Sequence, residues 1–520
     1  MILSDKYNFN SFIFVTIFHR GISFLFTFLF AFNSFTISAQ SYQDSLQAAV
    51  KLREAGKMKE AIGMLSLIHK AHPNDLNTTW YYAQSSFLAG ENELSFSLYE
   101  AAIRIQPNNI AIQLDYGKTL ANSAELDKAE WMLNNILEKD KNNAEAWLYL
   151  GRVYYWQGRY KEAEKLLNNL VRNTNSKSEA RKLLAQLHSD IAPWLQFQTS
   201  LAHDDQPLNI LTTGEKGGWY VSSLLNLDFE MQFPLVRTSK NDNYLFQGFK
   251  AGNKFQFRKA STNLYLAAGI FNNSKAGKLF MTGDLRIEKS LSKKLVFTAE
   301  AQRKPYYFTR GSLDTALMEN HFSASLAWNK PERWNGKLNF EHGIFTSDDE
   351  SVSAFSGWIF APQIKWGKWD LHFGYGYNYS NATVNHYESS KSIESIVNSG
   401  NTTAAVEGVY NPYFTPKEQQ IHSVLASLNA QISKSLRLKV NGNVGFYATT
   451  LYPYLYLQQD LDGNYQMVRG FESTRFIPYE MKASLDWKLS PSLLFVTELN
   501  YFHTIYYSGE MIRLSLKKTF

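Results

Sequence analysis

The stretch Leu436-Arg437-Leu438-Lys439-Val440-Asn441-Gly442-Asn443-Val444-Gly445-Phe446 decides the fold. Leu436, Leu438, Val440, Gly442, Val444 and Phe446 fall on one side of an extended chain; Arg437, Lys439, Asn441 and Asn443 fall on the other. Successive side chains of a strand point to opposite faces, so a period of two means a strand with one apolar and one polar face. The same grammar recurs upstream and downstream. Trp369, Leu371, Phe373, Tyr375, Tyr377 and Tyr379 oppose Asp370, His372, Gly374, Gly376 and Asn378. Met281, Leu285 and Ile287 oppose Thr282, Asp284, Arg286 and Glu288, and Met481, Ala483, Leu485 and Trp487 oppose Glu480, Lys482, Ser484 and Asp486.

A soluble sandwich buries such an apolar face, whereas a membrane barrel turns it to lipid and keeps the polar face inside. Three features favour the barrel over residues 193–520. Many alternating runs reach nine or more residues, as a tilted bilayer crossing needs. Aromatic residues cluster where strands end, as in Tyr375 to Tyr379 and Tyr452 to Tyr456, which suits interfacial girdles. Turns are short on one side (Ser290-Leu291-Ser292, Ser433-Lys434-Ser435) and long on the other (Asn385 to Glu418). About 15 strand candidates are legible and bacterial barrels close with even numbers, so 16 strands are expected, with 14 as the alternative. The inward face would then carry Asp284, Arg286, Glu288, Glu300, Lys337, Glu341, Asp370, Arg437, Lys439 and Arg513. Mixed signs suit either a hydrated lumen past which a neutral or weakly charged saccharide slides, or charges that pair across a filled interior.

Residues 42–177 follow a different period. Asn74, Asn108 and Asn142 stand 34 residues apart, in turns that close three successive units. Ala61, Ser95, Ala129 and Ala163 share one position of this frame, and Gly56, Gly90, Ala124 and Gly158 another. Small residues at fixed places let paired helices approach closely. Ala180, Leu183, Leu184 and Leu187 form one apolar stripe, read as a capping helix that Pro193 ends.

Residues 1–39 read as an export signal: Lys6, His19 and Arg20 precede an apolar stretch, and Ile37-Ser38-Ala39 offers a cleavage site. Export suits a chain without Cys. The 36 Phe, 30 Tyr and 12 Trp sit oddly with a mean hydropathy of −0.32, too low for a bundle of membrane helices. Half-lipid-facing strands plus a soluble array account for both. The net charge of +6 comes without a dense basic run, so no nucleic-acid partner is expected. No cofactor, metal or catalytic residue is expected either. His203-Asp204-Asp205 is the one tight His/Asp group, it lacks a nucleophile, and it reads as a polar loop.

The 34-residue period, with Trp147, Leu150-Gly151, Tyr154, Gly158, Tyr160 and Ala163 in the fourth unit, resembles the tetratricopeptide repeat. That resemblance implies an α-helical solenoid of four repeats plus a cap over residues 40–192, whose groove is lined by the first helix of each pair. Gln84, Lys118, Arg152, Tyr155 and Trp156 would face a ligand there, either polysaccharide or a periplasmic protein. The fold class is thus multidomain α + β, a helical solenoid followed by an antiparallel transmembrane barrel. The run Ile512, Leu514, Leu516 and Phe520, alternating with Arg513, Ser515, Lys517 and Thr519, resembles the C-terminal signal read by the barrel assembly machinery, although Lys518 interrupts it. Signal, repeats and barrel together resemble the export pores for cellulose and poly-N-acetylglucosamine and the smaller YaiO-type barrels. The segment around Tyr410, Pro412, Tyr413, Phe414 and Pro416, placed at the opening of a late strand, resembles the aromatic-Pro motif of these proteins. Four repeats are fewer than a cellulose exporter carries, which points to the YaiO-like end. The implied setting is the outer membrane of a Gram-negative bacterium with the repeats in the periplasm. The implied role is export of exopolysaccharide, or else a non-conducting anchor whose repeats recruit periplasmic proteins.

Overall fold

The computed structural model describes residues 42–520 apart from 174–176, 207, 240–241, 258–259, 276, 293, 316, 329–332 and 401. The expected export signal, with Lys6, His19, Arg20 and Ala39, lies outside the described residues. The chain divides into two compact units, residues 1–184 and 185–520.

The first unit holds helices α1 (Tyr42–Glu54), α2 (Met58–Ala71), α3 (Leu76–Leu88), α4 (Asn92–Ile105), α5 (Ile110–Asn122), α6 (Leu126–Lys139), α7 (Ala144–Gln157) and α8 (Tyr160–Asn173). Helix α9 (Lys177–Ile191) follows, and the division between units falls within it. The first helices of the four pairs begin at 42, 76, 110 and 144, so the sequence period is the structural one. The turn residues explain why. Asp75, Asn109 and Asn143 each cap the helix they precede, accepting from Thr78 N–H at 2.7 Å, Ala111 N–H at 3.1 Å and Ala146 N–H at 3.0 Å. Gly56, Gly90, Ala124 and Gly158 all have positive φ, so this position serves the left-handed turn between the helices of a pair, not their close approach. Close approach belongs to Ala61, Ser95, Ala129 and Ala163, all wholly buried. It belongs also to Gly117 and Gly151, where a Cβ would lie 3.2 and 2.9 Å from Leu133 and Leu167. Ser95 fits the alanine position because its hydroxyl donates to the Ala83 carbonyl at 2.8 Å. Ala180 and Leu184 of α9 join the core built by Leu133, Leu150 and Leu167.

The second unit is one closed antiparallel sheet. Its ring consists of β1 (Trp194–Asp204), β2 (Asn209–Ser222), β3 (Leu225–Arg237), β4 (Asn243–Phe257), β5 (Thr262–Asn273), β6 (Lys278–Ser292), β7 (Leu295–Pro305) and β8 (Met318–Trp328). It continues through β9 (Asn335–Phe345), β10 (Ser351–Phe360), β12 (Trp369–Ala382), β15 (Gln419–Gln431), β16 (Leu436–Gln459), β18 (Tyr479–Ser490), β19 (Leu493–His503) and β20 (Ser508–Thr519). Strand β20 pairs back onto β1 from Trp194↔Thr519 to Asp204↔Gly509, closing sixteen strands among the described residues. Three-residue β11 (Ile364–Trp366) extends the β10–β12 connection, and β13 (Tyr387–Ser389) pairs with β14 (Gly408–Tyr410) in the longest loop. Strand β16 overshoots the ring: beyond Thr449 its partner is β17 (Tyr465–Arg475). Tyr452 to Tyr456 therefore belong to a projecting hairpin, not to an interfacial girdle, and Ser290 to Ser292 finish β6 instead of forming a turn.

Exposure decides which face is inside. Met281, Phe340 and Leu499 lie open to the surroundings, Met281 at 73%, whereas the Asp284 carboxylate between Met281 and Ile287 is only 11% exposed. A soluble sandwich shows the reverse. An apolar outer belt over a polar inner face is the arrangement of a barrel whose solvent is lipid. The turns 223–224, 432–435 and 491–492 share one end with the start of β1 and the end of β20; the long β7–β8 and β12–β15 loops and the excursion between β16 and β18 share the other.

Candidate functional site

The polar faces of β2 to β8 meet across strands. Lys216 and Glu230 are register partners 2.8 Å apart, Lys250 lies 3.7 Å from Glu230, and Lys250 reaches across β5 to Asp284 at 2.6 Å. Gly269, the register partner of Lys250 on β5, leaves the room, since a Cβ there would sit 2.9 Å from the Lys250 Cα. Arg286 donates to Glu300 at 2.6 Å, Arg513 to Glu498 at 3.0 Å, and Asp486 receives both Arg437 at 3.2 Å and Lys439 at 3.3 Å. Of the lumen residues expected from alternation, Asp284, Arg286, Glu300, Arg437, Lys439 and Arg513 thus stand in cross-strand ion pairs. Glu288 accepts from Asn263 at 3.1 Å and Glu341 from Asn339 at 2.6 Å; Lys337 and Asp370 hold the same parity without entering these pairs. Lys216, Glu230, Lys250 and Glu498 join the wall, as do Glu480 and Lys482, 2.6 Å apart on β18. Their parity was visible in the sequence, but the cross-strand partners needed the register.

The long-loop end is crossed by packed aromatic side chains. The β7–β8 loop carries helix α10 (Arg310–Thr315), and the β12–β15 loop carries α11 (Ile393–Asn398) and the segment Tyr410 to Pro416. That segment lies ahead of β15 rather than opening a strand, and it spans the mouth. Tyr413 is wholly buried: its ring stacks on Phe345 at 3.7 Å between centroids, and its hydroxyl donates to Asp348 at 3.1 Å. His386 Nε2 lies 2.6 Å from the same carboxylate. The Thr309 hydroxyl donates to the Pro412 carbonyl, and Phe414 N–H donates to Tyr306 Oη at 3.4 Å. On its other side Phe414 stacks on Tyr507 at 5.2 Å, and Tyr410 meets Tyr506 edge-on at 5.2 Å. Tyr306 and Thr309 belong to the hairpin of the seventh and eighth ring strands, and Tyr506 and Tyr507 to that of the fifteenth and sixteenth. These hairpins are half a circumference apart, so Tyr410 to Phe414 bridge the mouth across its diameter.

Other hairpins tie into the same layer. Gln206 donates to the Phe308 carbonyl at 3.1 Å, Asn273 to that of Leu313 at 3.0 Å, and Tyr244 to Asp314 at 2.5 Å. Arg469 of β17 donates to the carbonyls of Tyr387 and Asn385 at 3.0 and 2.8 Å. Burial pushes the Tyr507 hydroxyl up to about 12 and those of Tyr410, Tyr413 and Tyr506 well above the ordinary tyrosine value. Nearby, Asp204 accepts from Leu208 N–H at 2.8 Å and Asp205 from Ser508 N–H at 3.0 Å, so this His/Asp group shapes hairpins.

A third polar constellation runs along the first helices of the array. Arg53 donates to Gln84 at 2.6 Å; Gln84 and Trp80 donate to Asp115 at 2.7 and 2.9 Å. Lys118 lies 3.7 Å from Asp115 and also pairs with Glu145, and Arg152 lies 3.5 Å from Glu179. Gln84, Lys118 and Arg152 occupy one frame position, one turn beyond Tyr81, Asp115 and Tyr149. Arg53 stands 5.1 Å over the Tyr81 ring and Arg152 4.8 Å over that of Tyr149. The expected groove residues Gln84, Lys118 and Arg152 are therefore held in one connected polar stripe. Tyr155 packs near Tyr160 at 5.7 Å instead, and Trp156 is partly exposed on the same helix.

The tetratricopeptide repeat family model matches residues 132–187. No curated protein matches the chain. Among solved structures, a bacterial polysaccharide outer membrane secretin aligns at 8% identity over 64% of this chain and 99% of its own, with a TM-score of 0.45. A tetratricopeptide repeat protein from Parabacteroides merdae aligns at 19% identity over 30% of this chain and 62% of its own, with a TM-score of 0.28. A thermophilic repeat protein from Thermus thermophilus aligns at 20% identity over 28% and 81%, with a TM-score of 0.25. Among the described residues the molecule is thus an array of paired helices, matched in its last part by the tetratricopeptide repeat model, followed by a closed 16-stranded antiparallel barrel.

Proposed function

We propose that this protein exports exopolysaccharide across the outer membrane, with its repeat array in the periplasm receiving the polymer or the proteins that deliver it. The observation that carries the reading is the lumen: a wall of paired charges of both signs under a closure made of loops. Such a wall offers hydrogen bonds all along its length without a net field that would trap a charged polymer. Sixteen strands leave room for an aqueous passage. Short turns face the periplasm in bacterial barrels, and β1 begins at that end, which supports the assignment of the array to the periplasm. We assign no catalytic step to the chain, and we take β20 with the Phe520 that follows it as the element read by the barrel assembly machinery.

The test is twofold. Deleting the protein should lower surface polysaccharide. The purified chain in a planar bilayer should conduct weakly as it is, and strongly once residues 386–416 are replaced by a short Gly/Ser linker. The bridge across the mouth favours one second reading, a non-conducting anchor for the array. A barrel that stays silent without its bridge, in cells whose polysaccharide is unchanged, would establish that reading instead.

A further inference from the structure

Charge pairing does not account for one region of the lumen near the short-turn end. There Trp194, Asp228, Lys254, Tyr265 and Arg286 line a cavity of about 330 Å³, within the size range of small-ligand sites (roughly 300–1,000 Å³). Trp194, Gly218, Asp228 and Gly252 follow one another as register partners across β1, β2, β3 and β4. Both glycines underlie rings. A Cβ on Gly218 would stand 2.5 Å from Trp194 Nε1, and one on Gly252 would stand 2.5 Å from Tyr265 Oη. The wall thus recedes at two points to seat two aromatic rings, with the Asp228 carboxylate in the row between them.

The polar groups are incompletely used. Tyr265 donates to Asp228 at 2.8 Å. Arg286 gives Glu300 one nitrogen of its five-donor fork. Lys254 has no hydrogen-bond or ion-pair partner among the described residues, and neither does the side-chain amide of Asn226. The Lys517 ammonium stands 4.3 Å from the centroid of the Trp194 ring, so a ligand that stacks on that face displaces a cation; seated rings beside spare donors and acceptors match one ligand chemistry. A pyranose ring has a C–H face that meets the negative face of an aromatic ring. Its rim carries hydroxyls that both donate and accept. The cavity holds both signs of charge, so it matches an uncharged chain rather than a polyanion.

We propose that this cavity is an entry subsite for a short segment of uncharged saccharide, with Trp194 and Tyr265 as stacking platforms and Asp228, Lys254 and Arg286 as hydroxyl partners. The inference rests on the export reading and names where the polymer is first held. Calorimetry on the full chain in detergent tests it, with three six-ring probes: a β-glucan, an N-acetylglucosamine oligomer and an acidic uronate oligomer. At least one uncharged probe should bind, Trp194→Ala should weaken it by about tenfold or more, and Lys254→Gln by about threefold. Strand circular dichroism and heat-dependent gel mobility verify that both variants stay folded. Binding of neither uncharged probe, equal binding by wild type and both variants, or binding of the uronate alone would overturn the subsite. Unchanged surface polysaccharide in cells lacking the protein would overturn the export reading while leaving the calorimetric result standing.

Discussion

Leu133 in α6 and Met281 in β6 are both apolar side chains within regular elements, yet Leu133 is wholly buried and Met281 is 73% exposed. Charges invert in the same way. Lys128 of α6 has a side chain that is 68% exposed, whereas Asp284 of β6 shows 11%. The two halves of the chain obey one rule in different solvents: each turns its apolar face to whatever is least like water. For the array that is its own core, and for the barrel it is lipid. A residue's hydrophobicity therefore says little about its burial here until the neighbouring period, 3.6 or 2, has been read.

That contrast can be broken by experiment. Leu133→Ala should cost the array about 2–5 kcal/mol, seen as a lowered urea midpoint of the helical signal in the full chain. Leu499→Ala, on the outer face of β19, should cost barrel folding less, roughly 1–2 kcal/mol, because only the transfer energy is lost and lipid fills the space that the side chain leaves. Equal losses at the two sites would refute the inside-out assignment.

The closure behaves like the array, with apolar rings hidden from water. Tyr413→Ala should destabilise it by about 3 kcal/mol, by analogy with buried aromatic truncations. The measurable sign is a higher open probability in a planar bilayer. Phe340→Arg, midway along β9, should cost about 2–4 kcal/mol of folding into lipid. Folding into vesicles of increasing urea content reads that loss. A substitution to Arg at a lumen-facing position should cost far less.

Alkali should open the closure more gently. Its tyrosines have folded-state values raised above the unfolded one of about 10. Their contribution is complete below pH 10 and fades as pH climbs from 10 toward 12 and beyond, because the opened form then ionises more readily. Conductance rising through that window supports the assignment; a flat profile contradicts it. The smallest effect is expected at Ala124, the one non-glycine at the left-handed turn of the array (φ 63°). Ala124→Gly should raise the array's stability by roughly 0.5–1 kcal/mol, visible as a small upward shift of its melting temperature.

Much of this could be read beforehand, for local reasons. Period two over Leu436–Phe446 and period 34 over the array are properties of neighbouring residues, so both survived translation into structure. The lumen face was legible by parity alone, which is why Asp284, Arg286 and Arg437 stand where alternation put them. The bridge was not legible. Nothing in the spacing of Tyr410, Tyr413 and Phe414 says that their partners are Phe345, Tyr306 and Tyr507, because those contacts depend on how eight hairpins meet around a ring. The glycine position shared by Gly56, Gly90 and Gly158 shows a subtler failure: recurrence marked it as special, while only backbone geometry distinguished a left-handed turn from a tight helix contact.

The sequence by itself determined the two periods, and through them a helical array followed by strands with one lipid-facing and one polar side. Side-chain direction along a helix or strand is a local consequence of backbone geometry. Only the tertiary structure decided that sixteen strands close, that Lys250 crosses Gly269 to reach Asp284, and that Tyr413 is buried in a bridge over the mouth. Those facts depend on strand register and ring closure, which join residues up to hundreds of positions apart and leave no trace in local spacing.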